Sequence, residues 1–247
     1  ENFNLFFIIN AIKIIFILGF LVLIHETGHF LVAKLCKVTV KEFAIGFGPT
    51  IWKKQGKVTK YALRLIPLGG FVSMEGEEEH SDKEGSFSKS SIPKRIAIVM
   101  AGGLVNIIFA LITYVILITV MTGSINRAID STGRFAFSII ESLKLLFSGG
   151  VTVNQLMGPV GISEIIVQTS GIEEFVYIMA LISMSLGVTN LLPFPPLDGG
   201  KVVLLLIEAI RRKPLKENTE IKIQMIGFVV LITLSIIVTF NDITRIF

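Results

Sequence analysis

His25 and His29 stand four residues apart, with Glu26 between them, in the run His25-Glu26-Thr27-Gly28-His29. On a helix this spacing sets both imidazoles on one face, where they can reach a single ion. Glu26 lies beside them and can take a proton from water at that ion. A His-Glu-x-x-His run on a helix therefore points to zinc-dependent hydrolysis. The chain has only three histidines, the third being His80. The competing account is a pair of buried structural histidines satisfied by Glu26. It explains neither the spacing nor the depth at which the run sits.

That depth follows from the flanking charges. His25 comes twelve residues after Lys13, about 18 Å along a helix, and Lys34 follows nine residues later, about 14 Å further. With both lysines near headgroups, the motif falls within the hydrocarbon zone. Ionisable side chains there are costly unless they have partners and a function.

A catalytic zinc takes three protein ligands and keeps one position open. His80 falls in an acidic, polar loop. Asp198 is the better third ligand. It closes the run Asn190-Leu191-Leu192-Pro193-Phe194-Pro195-Pro196-Leu197-Asp198-Gly199-Gly200. The run follows an apolar span that ends on the same side as the first. Its prolines leave carbonyls unpaired, and irregular backbone at membrane depth needs protein or water around it. A plain Asp-Gly turn is the alternative for Asp198 taken alone.

The elements that must position these residues are mostly helical. Hydrophobic residues make up 52% of the chain and charged residues 17%, with a mean hydropathy of +0.75. Soluble domains carry about 25% charged residues. Here the apolar residues concentrate in long runs, which excludes an ordinary soluble core. Four segments read as membrane-spanning. The first, at about 3–35, includes Ile14 to Ile24 without a polar residue. The second is Ile96 to Met121, about 39 Å as a helix. The third is Phe175 to Leu192, stopped by Pro193, Pro195 and Pro196. The fourth is Ile221 to Phe240, with its apolar stretch from Ile226. The fold class expected is a mainly α, polytopic membrane protein with four transmembrane helices.

Between the first and second spans, residues 36–95 read as a β-rich loop. Thr39–Phe47, Thr50–Lys54, Thr59–Leu65 and Phe71–Met74 have strand composition, and Gln55-Gly56 offers a turn. Residues 75–91 read as a solvated acidic and polar loop. Residues 122–174 separate the second and third spans, and Phe135–Phe147 has the spacing of an interfacial amphipathic helix. Val202–Ile210, within the 201–225 segment, is similar.

Positive charge sets the orientation. Residues 31–95 carry twelve Lys/Arg, 122–174 carry three and 200–225 carry six. The first and last of these loops are expected in the cytoplasm, with both termini outside. The net charge of +4 fits a lipid headgroup partner, and no nucleic-acid motif is present. The single Cys36 cannot form an internal disulfide. The chain begins at Glu1 rather than Met, which we expect to reflect removal of preceding residues or a tag.

With these pieces assembled, the sequence resembles the site-2 protease family of intramembrane zinc metalloproteases, most of all the bacterial branch that cleaves membrane-spanning anti-sigma factors. The resemblance rests on His25–His29, Gly46-Phe47-Gly48-Pro49, the run Pro67 to Gly76, Gly158-Pro159-Val160-Gly161, and Asn190 through Gly200. It implies that His25, His29 and Asp198 bind Zn2+ and that Glu26 is the general base. It implies that Asn190 orients substrate or stabilises the oxyanion. It also implies that strands around Arg64–Met74, with Gly69, Gly70 and Phe71, form a membrane-associated β-hairpin on the cytoplasmic side. That hairpin would extend a substrate by strand addition. The partners implied are single-span membrane proteins, such as anti-sigma factors or signal-peptide remnants, within the bacterial cytoplasmic membrane.

The sequence departs from the family twice. Ala101-Gly102-Gly103-Leu104-Val105-Asn106 lacks the proline the family often has at the third position. No segment of about 90 residues stands between the second and third spans, where relatives carry PDZ domains. Gly123-Ser124 lies at that junction, and a deletion there is expected. A metal transporter would also place His and Asp within the membrane, but no inverted repeat is visible. A catalytically dead scaffold would not need Glu26 beside the ligand set.

Overall fold

The computed structural model describes residues 2–77, 79–150 and 156–246, the side chains of 2–7, 67, 68 and 246 excepted. Position 78 of the expected 75–91 loop and positions 151–155 of the 122–174 segment lie outside the described residues. In chain order the elements are α1 (Asn2–Leu35), β1 (Val40–Gln55), β2 (Lys60–Met74), α2 (Ile92–Thr122), α3 (Ile125–Phe147), α4 (Pro159–Gln168), α5 (Ile172–Asn190), α6 (Asp198–Arg211) and α7 (Glu217–Ile246).

The architecture is mainly α with one small sheet. Among the described residues, four helices are long and apolar enough to cross a membrane: Ile8–Leu35, Ile92–Thr122, Ile172–Asn190 and Glu217–Arg245. A helix satisfies its own backbone, which hydrocarbon demands. Ile112, Ile116, Ile226 and Ile236 are each more than half exposed. Such apolar flanks suit lipid rather than water.

Local chemistry sets the helix ends. α1 closes with Val38 N–H donating to Ala33 and Lys37 N–H to Lys34, with Lys37 left-handed at φ 62°. This double bond is the common way to satisfy the last carbonyls. α2 starts at Ile92, four residues before the expected span, because Pro93 is tolerated in a first helical turn. α3 starts at Ile125, well before Phe135, since the Ser124 side chain accepts the Arg127 N–H. α4 was not expected; Pro159 opens it. α6 starts at Asp198 itself rather than at Val202.

The four expected strand segments are two continuous, sharply bent strands. Gly46, Gly48 and Gly69 take positive φ of 85°, 82° and 106°. The chain therefore turns without leaving the sheet. Residues 50–55 pair with 60–64, from Thr50↔Arg64 to Gln55↔Lys60. Residues 42–45 face 60–63 on one side and 70–73 on the other. Among the described residues, Gly70–Ser73 is paired with β1 alone, so its other edge is open, while Met74 bonds to Glu77.

The chain divides into two compact units. One comprises 15–106 and 186–228. Its core joins Ala33, Val38, Val40, Met74, Phe87, Ile98, Val99 and Leu205. Phe30 packs edge-on to Phe43, and Lys34 donates to Thr59, which donates to the Val40 carbonyl. Glu42 meets Arg64 at 2.9 Å and Lys60 at 3.1 Å. The other unit comprises 1–14, 107–185 and 229–247. There Tyr114 stacks on Phe135 at 4.4 Å, and Lys13 donates to the Thr169 carbonyl. The buried Asp242 carboxylate accepts the backbone N–H groups of Gly158 and Gly161, each at 2.9 Å.

Candidate metal centre

α1 carries His25 and His29 on successive turns with Glu26 next to His25, and α6 presents Asp198 from its first residue. His25 Nε2 lies 3.2 Å from Asp198 Oδ2, His29 Nε2 lies 3.4 Å from the same oxygen, and the two Nε2 atoms are 3.1 Å apart. Among the described residues these three are the group that can hold a metal ion. A tetrahedral ion with bonds of about 2.0–2.1 Å separates its ligand atoms by roughly 3.3 Å. The observed triangle matches that size.

The tautomer fits as well. His29 Nδ1 lies 2.8 Å from the Ile98 carbonyl. A carbonyl only accepts, so Nδ1 carries the proton and Nε2 keeps its lone pair for a cation. Three lone-pair donors converge, one of them anionic, in a site where His25 is 8% exposed. Zinc suits this donor set.

Glycines let the elements close on the site. A Cβ on Gly102 of α2 would lie 2.3 Å from His29 Nε2 and 2.8 Å from His25 Cε1. A Cβ on Gly28 would lie 2.6 Å from the Ala101 carbonyl oxygen. α1 and α2 thus approach to backbone contact beside the ligands. At Gly103, where relatives often have proline, a Cβ would meet Leu191 Cγ at 2.7 Å and the Gly187 carbonyl at 2.9 Å. The sequence departure is matched by close packing of α2 on the end of α5.

A cavity of about 240 Å³ opens at His25, His29 and Asp198, lined by Glu26, Phe71, Val72, Glu77, Pro196 and Lys201 among others. Gly70 is set against Glu26, since a Cβ there would lie 3.2 Å from Glu26 Cγ. A second cavity, of about 760 Å³, continues along Phe71, Val72 and Ser73. The site residues expected from sequence thus divide. His25, Glu26, His29, Asp198 and Phe71 line one cleft, and Gly70 adjoins it. Gly69 packs against the Phe47 ring instead. Asn190 donates its side-chain N–H to the Leu186 carbonyl at 3.0 Å and is not among the lining residues. His80 pairs with Asp82 on the surface.

Sequence reasoning passed over Glu77, Lys201 and the role of Gly102. Gly102 was visible as part of a family run, but only its neighbour's missing proline drew notice. Glu77 directly follows the run that ends at Gly76, and Lys201 stands three residues after Asp198.

A helix-borne His-Glu-x-x-His, a carboxylate at a second helix start that could complete a metal site, and four candidate spans are the features expected of a membrane metalloprotease. The chain belongs to peptidase family M50, whose match covers residues 13–234. It is similar to a Clostridium acetobutylicum protein named "putative zinc metalloprotease", 28% identical over 329 aligned positions covering 95% of this chain and 97% of that protein. A Clostridium perfringens protein of the same description is 27% identical, covering 90% and 95%. One from Streptococcus pyogenes is 45% identical over 114 residues, covering 45% of this chain and 27% of that protein. The chain is a zinc-dependent membrane metalloprotease of this family.

Proposed function

We infer that the chain is an intramembrane endopeptidase that cuts within or near the transmembrane segment of single-span proteins. His25, His29 and Asp198 hold the zinc, and Glu26 is the general base. The observation that carries this is the triangle of donor atoms, 3.1–3.4 Å on a side, formed between the apolar helix α1 and the start of α6 and beside Glu26. Bound there, zinc supplies polarisation of the scissile carbonyl and of the attacking water. Glu26 takes the proton from that water and passes it to the leaving amine.

Peptide bonds in a helical substrate are shielded, so the segment must be extended before attack. The open edge of Gly70–Ser73 borders both cavities and can receive such a segment by backbone pairing. Phe71 and Gly70 then contact it next to Glu26. Asn190 would need to release Leu186 to reach a developing oxyanion.

The cleft opens toward the cytoplasm of a bacterial cell, with both termini outside, a reading supported by the basic loops. Substrates of this kind include anti-sigma factors and signal-peptide remnants. The alignment with the Clostridium acetobutylicum relative runs over 329 positions, longer than the 247 residues here, so that relative has residues this chain lacks; this is in keeping with a PDZ segment deleted at Gly123-Ser124. An encoding gene without an insertion at that point would refute the deletion.

The test is proteolysis of a single-span substrate in liposomes, with and without a zinc chelator. Cleavage that stops with chelator and returns with zinc is expected. Chelator-resistant cleavage, or none with zinc restored, would overturn the assignment.

A further inference from the structure

Lys201 Nζ donates to Glu77 Oε1 at 2.7 Å, joining residues 124 positions apart. Both side chains are about one-fifth exposed and both line the zinc cleft. The other Glu77 oxygen accepts the backbone N–H of Met74 at 3.3 Å, and Glu77 N–H donates to the Met74 carbonyl. Glu77 therefore grips the last residue of the open-edged strand through both its backbone and its carboxylate. Lys201 carries that grip onto α6.

On α6, Asp198, Lys201, Leu205 and Glu208 share one face by their spacing. Glu208 receives Arg95 at 2.7 Å from the start of α2. Arg95 and Lys201 both sit over the Phe87 ring, at 5.2 Å each, and Phe87 is 2% exposed. The helix that begins with Asp198 is thus fastened along that face, to α2 through Glu208 and to the strand end through Lys201. The Lys201 ammonium is committed to Glu77 and Phe87, which marks it as a brace rather than a substrate contact.

We propose that Glu77 and Lys201 are positioning residues that hold the Gly70–Ser73 edge in register with Asp198, so that a peptide paired on that edge presents its scissile bond to the metal. This rests on the strand-addition reading above. A misplacement of about 1 Å at the reacting atoms can cost on the order of a hundredfold in rate. A link between the strand and the third ligand acts on that distance.

The test uses the full chain in liposomes with a single-span substrate, rates being normalised to zinc-loaded protein. Lys201→Met and Glu77→Gln are each expected to lower kcat about tenfold to a hundredfold with zinc content unchanged. The double variant should be no slower than the slower single, because either change breaks the same link. Lys201→Arg should recover most of the rate. Unchanged kcat, or losses that multiply in the double variant, would overturn the proposal. A separate arm cuts wild-type enzyme against substrates N-methylated around the scissile bond. Sensitivity to N-methylation supports strand pairing, and insensitivity removes that reading and this proposal with it. Sensitivity together with unchanged or multiplying kcat losses overturns the proposal alone.

Discussion

Gly102 lies so close to His29 that a Cβ added there would sit 2.3 Å from Nε2. The same Cβ would reach His25 Cε1 at 2.8 Å. The His29 ring cannot retreat freely, because its Nδ1 is held by the Ile98 carbonyl. Gly102→Ala is expected to displace the ligand pair and weaken zinc binding by about tenfold to a hundredfold, the usual effect of disturbing groups that orient ligands. Competition with a chelator measures this. Wild-type affinity in Gly102→Ala would show that the rings have room.

Asp198 contributes the only anionic donor of the triangle, from a helix that is separate from the two histidines. Asp198→Ala should leave α1 folded but lose most bound zinc from purified protein. Asp198→Asn should retain more than Ala, since its amide oxygen keeps a donor at that place. Metal analysis of the two variants checks the order, and equal, wild-type zinc content in both would remove Asp198 from the ligand set.

Glu42 gives the β-sheet a pH dependence. Partial burial raises its pKa, but hydrogen bonds and charge from Arg64 and Lys60 outweigh this and hold it below its ordinary 4.5. A depressed folded pKa means that the stabilisation is present above the unfolded value and disappears as pH falls through the folded one. Protease sensitivity of the 55–60 turn should therefore rise as pH drops below about 4.5. Glu42→Gln should be more sensitive at neutral pH and change less on acidification. An identical pH profile in both proteins would contradict this.

These charges also show what a linear reading reaches. The His25–His29 spacing, the long apolar runs and the Asp198 segment are local patterns, since helix period and span length are written in consecutive residues. The fold class was legible for that reason, and so were the three side chains that the fold brings together. The bent strands were seen only as four fragments, because glycines that allow a turn look like glycines that end a strand. The start of α6 at Asp198 was masked by the preceding prolines. The Glu77–Lys201 and Arg95–Glu208 pairs have no local signature, as each joins residues more than a hundred positions apart.

Asp242 predicts a stability effect in the other unit. It is fully buried and accepts both the Gly158 and the Gly161 N–H. Asp242→Ala leaves two buried donors unpaired, each costing about 1–3 kcal/mol. A clear fall in the unfolding midpoint in detergent is expected, with Asp242→Asn in between because its carbonyl still accepts. No change in midpoint for Asp242→Ala would mean that water replaces the carboxylate.

Glu26→Gln is the sharpest test of the whole account, because it removes the proton acceptor while keeping the shape of the cleft. Purified wild type and variant are compared for zinc content and for cleavage of a single-span substrate in liposomes. The variant should bind zinc like the wild type and cleave about 10² to 10⁴ times more slowly, the usual worth of a general base. Cleavage at the wild-type rate by zinc-loaded Glu26→Gln would contradict the assignment of Glu26 and the hydrolytic chemistry built on it.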